Sequence, residues 1–541
     1  MENTLFISLL IPFAFGFFSF KRLLTFLRYF QQEEYDGQRF LAWCARNFTV
    51  DRKLSLSLFA AFILLLIVPP FDEADIYQFT FSLLFLFFGL LENNPRSKGK
   101  KPLVLTKRAT RILVLSLILS VLCAFFVSFY LPLEIKQTIG WLLLVQLIPM
   151  FLPIANFLLC PVEKGIQWRI RKKALRKLKK LSPTVIGITG SYGKTSTKHI
   201  LGHILSTVSP TLITPKSFNT VMGICRSIFD GLTSKHEYFV VEMGAYGPGS
   251  IKRLSDFVSP THGIITAIGI AHLERFKSPE RILNAKYELA DKVSEMAGIL
   301  VVPADSTPKA FLKSRMKTHP ETYPFGSKKH EFPHETYYTD VKETSSGLSF
   351  KIHCAGKAYA IETPLYGLHQ CANITAAFSL AKHLEVPEKT IVASLKTLPQ
   401  IEHRLEVSRG NNGSIIIDDA YNSNVDGFLS ALSLLNTLGQ KRKRRILVTP
   451  GMIELGEAHD REHKRLGQKA AECADIMLVI GSERIPTLTA GFNENSKKDQ
   501  QVIPCSSFAE AKNWITQNGT ANDVILFEND LPDLFEEKLK L

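Results

Sequence analysis

Five apolar runs, separated by loops that alternate between strongly basic and nearly free of Lys and Arg, occupy the first 160 residues of this chain. They lie at about Leu5 to Phe20, Leu54 to Val68, Ile76 to Leu91, Ile112 to Leu131 and Ile139 to Leu159. The first loop carries Lys21, Arg22, Arg28, Arg39, Arg46, Arg52 and Lys53, and the third carries Arg96, Lys98, Lys100, Lys101, Lys107, Arg108 and Arg111. The second holds Asp72, Glu73 and Asp75, and the fourth a single lysine, Lys136. Lys and Arg stay on the cytoplasmic side of a membrane. The alternation therefore predicts five spans, with the N-terminus outside and everything after residue 160 inside. A cleaved signal is disfavoured, because Glu2 precedes the first run and Lys21-Arg22 follow it.

Between Glu163 and Lys180 lie nine basic residues and one acidic one. Ile166, Ile170, Ala174, Leu178 and Leu181 recur among them at helical spacing, so the expected form is an amphipathic helix on the inner leaflet, held by anionic lipid. This segment supplies about half of the chain's net charge of +15, and 38 phenylalanines accompany that charge. The pairing points to membrane rather than nucleic acid as the partner. The eight cysteines are scattered without a CxxC pair, which suggests neither a zinc site nor a disulfide framework.

From Ser182 onward the pattern is that of a soluble α/β protein. Short apolar runs at Val185 to Ile188, Tyr238 to Val241, Gly263 to Ile265, Ile299 to Val302, Ile415 to Ile417 and Ile446 to Val448 alternate with helical stretches, as buried parallel strands do. A break near Leu398 to Arg404 divides two such blocks. The expected organisation is a membrane domain over 1–160, a basic juxtamembrane helix over 161–181, a first α/β domain over 182–400 and a second over 401–541.

The sharpest chemical signal is Thr189-Gly190-Ser191-Tyr192-Gly193-Lys194-Thr195-Ser196, after one apolar strand and before a helix. A glycine-rich turn there lets backbone N–H groups wrap a phosphate, with Lys194 reaching the outer phosphates and the Thr195 hydroxyl available to Mg²⁺. Ile188 stands where the strict P-loop pattern has its first glycine.

This segment resembles the phosphate loop of the Mur ligases, the ATP-dependent amide-bond formers of peptidoglycan synthesis, and most of all the branch that adds D-alanyl-D-alanine. The resemblance continues in order through Thr214-Pro215-Lys216-Ser217-Phe218-Asn219, Glu242-Met243-Gly244-Ala245, Thr266 to Glu274, Ala285-Lys286-Tyr287-Glu288, Gly367-Leu368-His369 with Asn373, and Arg404-Leu405-Glu406. Asp418 to Asn424 and Gly451 to Gly456 complete it. It implies an α/β Mur-ligase ATPase domain and a Rossmann-like C-terminal domain behind an α-helical membrane domain.

It also implies ATP, with two magnesium ions held by Thr195, Glu242, His272 and Lys286, the last being the lysine that the family carbamylates. Lys194, Lys286 and His272 are the implied catalytic residues. Gly190, Ser191, Tyr192, Gly193, Lys194, Thr195, Ser196, Asn373, Arg404 and Asp419 would hold the nucleotide. Asn219, Tyr421, Asn422 and Asn424 would face substrate. The implied partners are a soluble or lipid-linked cell-wall precursor and an amino acid or dipeptide, and the place is the bacterial inner membrane with the catalytic domains in the cytoplasm.

The chain departs from the family at Ala267 and Pro303, where asparagines stand on the adenine side, and at His403, where a glycine precedes the arginine. About 20 residues separate the last apolar run from the phosphate loop, so the UDP-sugar-binding domain of soluble members has no room there. A membrane-bound polyglutamate synthase is a competing ligase reading. A nucleotide-binding scaffold without catalysis is a competing reading of another class.

Overall fold

Among the described residues, seven α-helices follow one another up to Leu181: α1 (Glu2–Gln32), α2 (Gly37–Arg46), α3 (Arg52–Ile67), α4 (Glu73–Leu91), α5 (Lys107–Tyr130), α6 (Ile135–Leu147) and α7 (Phe151–Leu181). The computed structural model describes residues 2–67, 73–95, 102–131, 135–269, 276–421, 424–440, 444–453 and 455–530. It divides into a helical unit ending at Trp168 and an α/β unit from Arg169 to Asp530. Within the described residues, three helical stretches are long and apolar enough to cross a membrane: Leu9–Gln32, Lys107–Tyr130 and Ile135–Leu181. Ile76–Leu91 is apolar but shorter.

Two readings of the first basic loop are corrected. The first apolar run does not end at Lys21-Arg22. The helix continues to Gln32, because Arg22 is buried and neutralised by Asp51 at 2.9 Å and Glu92 at 2.6 Å. The rest of that loop contains α2, started by the Asp36 carboxylate accepting from Arg39 N. The α2 helix buries Phe40 and Trp43, the latter stacked on Tyr29 at 4.4 Å.

The α/β unit holds two sheets. The first has nine strands: β1 (Thr184–Thr189), β2 (Thr211–Ile213), β3 (Tyr238–Glu242), β4 (His262–Ile265), β5 (Leu300–Pro303), β6 (Thr322–Gly326), β7 (Thr336–Thr344), β8 (Gly347–Cys354) and β9 (Lys357–Thr363). Their order is β2-β3-β1-β4-β5-β6-β7-β8-β9, parallel as far as β7 and antiparallel beyond it. Helices α8 (Lys194–Ser206), α9 (Val221–Asp230), α10 (Ser250–Val258), α11 (Pro279–Glu295), α12 (Lys309–Thr318), α13 (Gln370–His383) and α14 (Glu388–Lys396) cover its faces with two apolar cores. Strand β1 has β3 on one side and β4 on the other, so the winding reverses there, and ligand crevices form at such a switch point.

The second sheet consists of β10 (Glu406–Arg409), β11 (Ile415–Asp419), β12 (Arg444–Thr449), β13 (Ile476–Ile480), β14 (Gln501–Cys505) and β15 (Asp523–Glu528). Its order is β10-β11-β15-β12-β13-β14, with only β10 antiparallel. Helices α15 (Val425–Gly439), α16 (His459–Cys473), α17 (Pro486–Asn495) and α18 (Phe508–Asn518) flank it.

The basic segment is not a separate element. Helix α7 runs unbroken from Phe151 through the expected boundary at residue 160. Its apolar stripe is also not left for lipid: Ala174 and Leu178 are buried in a core with Ile224, Ile228 and Phe257, and Ile170, Leu175 and Leu181 pack against it. Lys177 Nζ donates to the carbonyls of Ile228 and Phe229 at 2.7 and 3.1 Å, satisfying acceptors at the end of α9. The α/β core therefore takes the side chains of the stripe out of water, as lipid was expected to do. Lys164, Arg169, Lys172, Arg176, Lys179 and Lys180 remain exposed.

Candidate active site

The phosphate loop joins β1 to α8 as its sequence requires. Gly190 has φ +152° and Gly193 φ +76°, and a Cβ would lie 2.0 Å from Thr266 Oγ1 at the first and 2.2 Å from Asn373 Oδ1 at the second. Both positions need glycine for backbone conformation and for space. Ser191 N donates to Ala267 O, and the Ser191 side chain pairs with the Gly269 backbone at 3.0 Å. The loop is thereby fastened to the segment after β4. Lys194 Nζ donates to the carbonyls of Gly190 and Ser191 at 2.8 and 3.2 Å. Asn373 sits behind the loop, accepting from Thr197 Oγ1 and donating to Gln370 Oε1.

At the end of β3, the Glu242 carboxylate is buried and has three donors. Thr195 Oγ1 at 3.0 Å and Lys198 Nζ at 3.1 Å share Oε2, and Asn219 Nδ2 lies 3.1 Å from Oε1. Burial pushes the Glu242 pKa up, but Lys198, Lys194 and these hydrogen bonds more than offset it, so the group is held below the usual carboxylate range. Desolvation, opposed by Glu242 and reinforced by Arg404, lowers the Lys194 pKa. Lys286 on α11 is 2% exposed, and its ammonium lies 5.8 Å from the Phe276 ring centre. Desolvation first and the Lys194 charge second drive its pKa well below 10.5. Its burial thus disfavours the charged ammonium relative to a solvated lysine. The carboxylate and hydroxyl of Glu242 and Thr195 are hard oxygen donors of the kind Mg²⁺ takes, so this pair fits that ion.

The turn before β10 contributes Arg404, which is within electrostatic reach of Glu242 and Asp419. Its neighbours His403 and Leu405 both have left-handed backbones, with φ +58° and +50°. Asp418 Oδ2 binds His403 Nδ1 at 2.8 Å, and Asp419 Oδ1 accepts from Leu405 N at 3.1 Å. The two acids thus hold the turn that presents Arg404. The exposed Tyr421 has its ring 4.6 Å from that of His403. Asn424 caps α15 by accepting from Gly427 N at 2.8 Å, which gives it a structural task besides the expected substrate role. Asn219 is likewise engaged at both ends, since Tyr246 OH donates to its Oδ1 at 3.3 Å. His272 and Asn422 lie outside the described residues.

A model of the Mur ligase middle domain matches residues 188–381, and one of the Mur ligase glutamate ligase domain matches residues 403–528. The chain belongs to the Mur ligase family. The UDP-N-acetylmuramoyl-tripeptide--D-alanyl-D-alanine ligase of Buchnera aphidicola is 29% identical over 67% of this chain and 79% of its own length. That of Bacillus subtilis is 28% identical over 69% of this chain and 78% of its own. The MurF ligase of Thermotoga maritima, solved in complex with ADP, superposes with a TM-score of 0.57 at 25% identity, covering 69% of this chain and 82% of that one.

Within the Mur ligase site, Lys198 was missed by sequence reasoning; Thr214 was quoted in a motif but given no role, and its hydroxyl accepts from Glu242 N at 3.1 Å. A signal for Lys198 existed: it lies four residues after Lys194, on the same face of α8.

Proposed function

We propose that this chain is an ATP-dependent amide ligase of peptidoglycan precursor synthesis that adds D-alanyl-D-alanine to a muramyl tripeptide. The observation that carries the reading is the meeting of the phosphate loop, the Glu242 carboxylate and the buried Lys286 at the switch point of the first sheet. The peptide carboxylate attacks the γ-phosphorus of ATP, the bond to ADP breaks, and an acyl phosphate forms. The dipeptide amine then attacks the acyl carbon, phosphate leaves with the electron pair, and the amine loses a proton.

Gly190 to Gly193 and the start of α8 cradle the phosphates, while Lys194 and Arg404 neutralise charge that develops during transfer. Thr195 and Glu242 would hold one Mg²⁺, and His272 with a carbamate on Lys286 a second; bound metal screens the phosphate oxygens from the incoming carboxylate. The depressed pKa of Lys286 suits addition of CO₂ with loss of a proton. Asn373 and Asp419 support the nucleotide cleft through the loops that they brace.

A division near residue 400 between the two α/β blocks belongs to the same proposal, as does a helical unit that crosses a bacterial inner membrane five times with both sheets in the cytoplasm. Support comes from apolar side chains left exposed on α3, α4 and α5, among them Leu64, Leu83, Phe87, Leu90, Ile118 and Leu122. The cationic face of α7 then meets anionic lipid. Lys194→Ala tests the phosphate loop: turnover is expected to fall by about 10²-fold or more, as when an oxyanion-stabilising group is removed. Wild-type turnover in that variant would overturn the assignment. Offering the muramyl tripeptide on UDP and on a lipid carrier separates a helical unit that presents the donor from one that only tethers the ligase.

A further inference from the structure

Lys198 has no part in the chemistry above, yet its side chain is fully buried against Glu242, itself 1% exposed. Its ammonium makes two contacts: to Glu242 Oε2 at 3.1 Å and to the backbone carbonyl of Lys216. Lys216 lies in the segment between β2 and α9 and has φ +47°, a backbone region disfavoured for residues with side chains. The same segment reaches the end of β3 three more times. Thr214 Oγ1 accepts from Glu242 N, Asn219 Nδ2 donates to Glu242 Oε1, and Asn219 O accepts from Gly244 N at 2.9 Å. Gly244 must be glycine for this approach, since a Cβ there would lie 2.8 Å from the Asn219 amide. From Asn219 the chain of contacts runs outward to Tyr246, which is 40% exposed.

We propose that Lys198 is a positioning residue that makes Glu242 and the 214–220 segment move as one body, so that an ion at Glu242 and a ligand at the Asn219–Tyr246 edge stabilise each other's binding. A buried ammonium shared between a carboxylate and a strained carbonyl can do this where a neutral side chain cannot. It fixes the carboxylate by charge and the segment by a hydrogen bond, and loses both if either moves. By linkage, whatever orders the segment must tighten ion binding by the same factor. The inference rests on the assignment of Glu242 to the metal site.

The experiment uses the full chain in detergent with Mn²⁺ and ADP. Mn²⁺ binding is read by electron paramagnetic resonance, and backbone hydrogen exchange by mass spectrometry. In the unmodified protein, Mn²⁺ with ADP is expected to slow exchange across 215–220 in step with ion occupancy. In Lys198→Met, exchange there should rise and Mn²⁺ should bind about tenfold more weakly, within the usual range of coupling between sites. Exchange in β4 and β5, in the same sheet as Glu242, should not change, which shows that the fold persists. Unchanged Mn²⁺ affinity in a folded Lys198→Met overturns the proposal. If that variant does not fold, segment exchange indifferent to Mn²⁺ in the unmodified protein overturns it equally. Failure of the unmodified protein to bind Mn²⁺ with ADP would instead remove Glu242 from the metal site, and the inference with it.

Discussion

His463 shows how a single side chain ties stability to pH in this molecule. Its Nδ1 donates to His459 O at 2.8 Å and its Nε2 accepts from Met452 N at 3.0 Å, an arrangement that only the neutral ring can satisfy. Burial lowers its pKa from 6.5 to about 4, the His459 and Arg484 charges reinforcing the shift. The unfolded chain therefore binds more protons between these values, and the contribution is complete above pH 6.5 and lost as pH falls toward 4. His463→Leu should show a shallower fall of melting temperature over this window than the unmodified protein, and an identical slope would contradict the assignment. The residues with fixed chemistry were legible at this scale. Gly190, Gly193, Lys194 and Thr195 lie in the turn between β1 and α8 and at the start of α8, where the sequence put a strand-to-helix turn, and both glycines have the positive φ such a turn uses. Lys198 and His463 were not legible, nor was the task of Thr214, because their partners come from other strands or from backbone atoms that a sequence does not display.

Among the elements, the parallel strands β1, β3, β4, β5, β11 and β12 were readable from continuous apolar runs, as strands covered on both faces show, whereas β2, β6, β13, β14 and β15 were not marked. The antiparallel β7, β8 and β9 were not, because their residues alternate between buried and exposed and carry charge, as in the KIHC stretch of β8. Asn424 illustrates a motif residue whose place in an element was hidden. Its cap on α15 implies that Asn424→Ala costs about 1 kcal/mol of stability, measurable as a lower melting temperature. A purely substrate-facing asparagine would raise KM and leave the melting temperature alone. Helix α7 gives the larger effect: Leu178 is buried in the α/β core, so Leu178→Ala should cost about 2–5 kcal/mol. A lipid-facing leucine would change stability little. The amphipathic period of α7 was visible in the sequence, but periodicity states only that one face is apolar, not whether lipid or protein covers it.

For the whole molecule, the two sheets and their order of motifs followed from collinear segments between Thr189 and Gly456, and the family match over 188–381 and 403–528 agrees with them. The helical unit was legible in outline only. Charge alternation marked its apolar runs, but Arg22 is buried in an ion-pair cluster rather than solvated, and ten residues of the first basic loop are α2. The central claim is that nucleotide held at the phosphate loop energises a carboxylate for amide formation. The direct measurement is the mass of the product after the full chain is incubated with ATP, Mg²⁺, D-alanyl-D-alanine and a muramyl tripeptide, with ADP release followed alongside. One dipeptide joined with loss of water is expected for each ADP released, and none with Lys194→Ala. ADP release that does not depend on the acceptor, with no joined product, would contradict it.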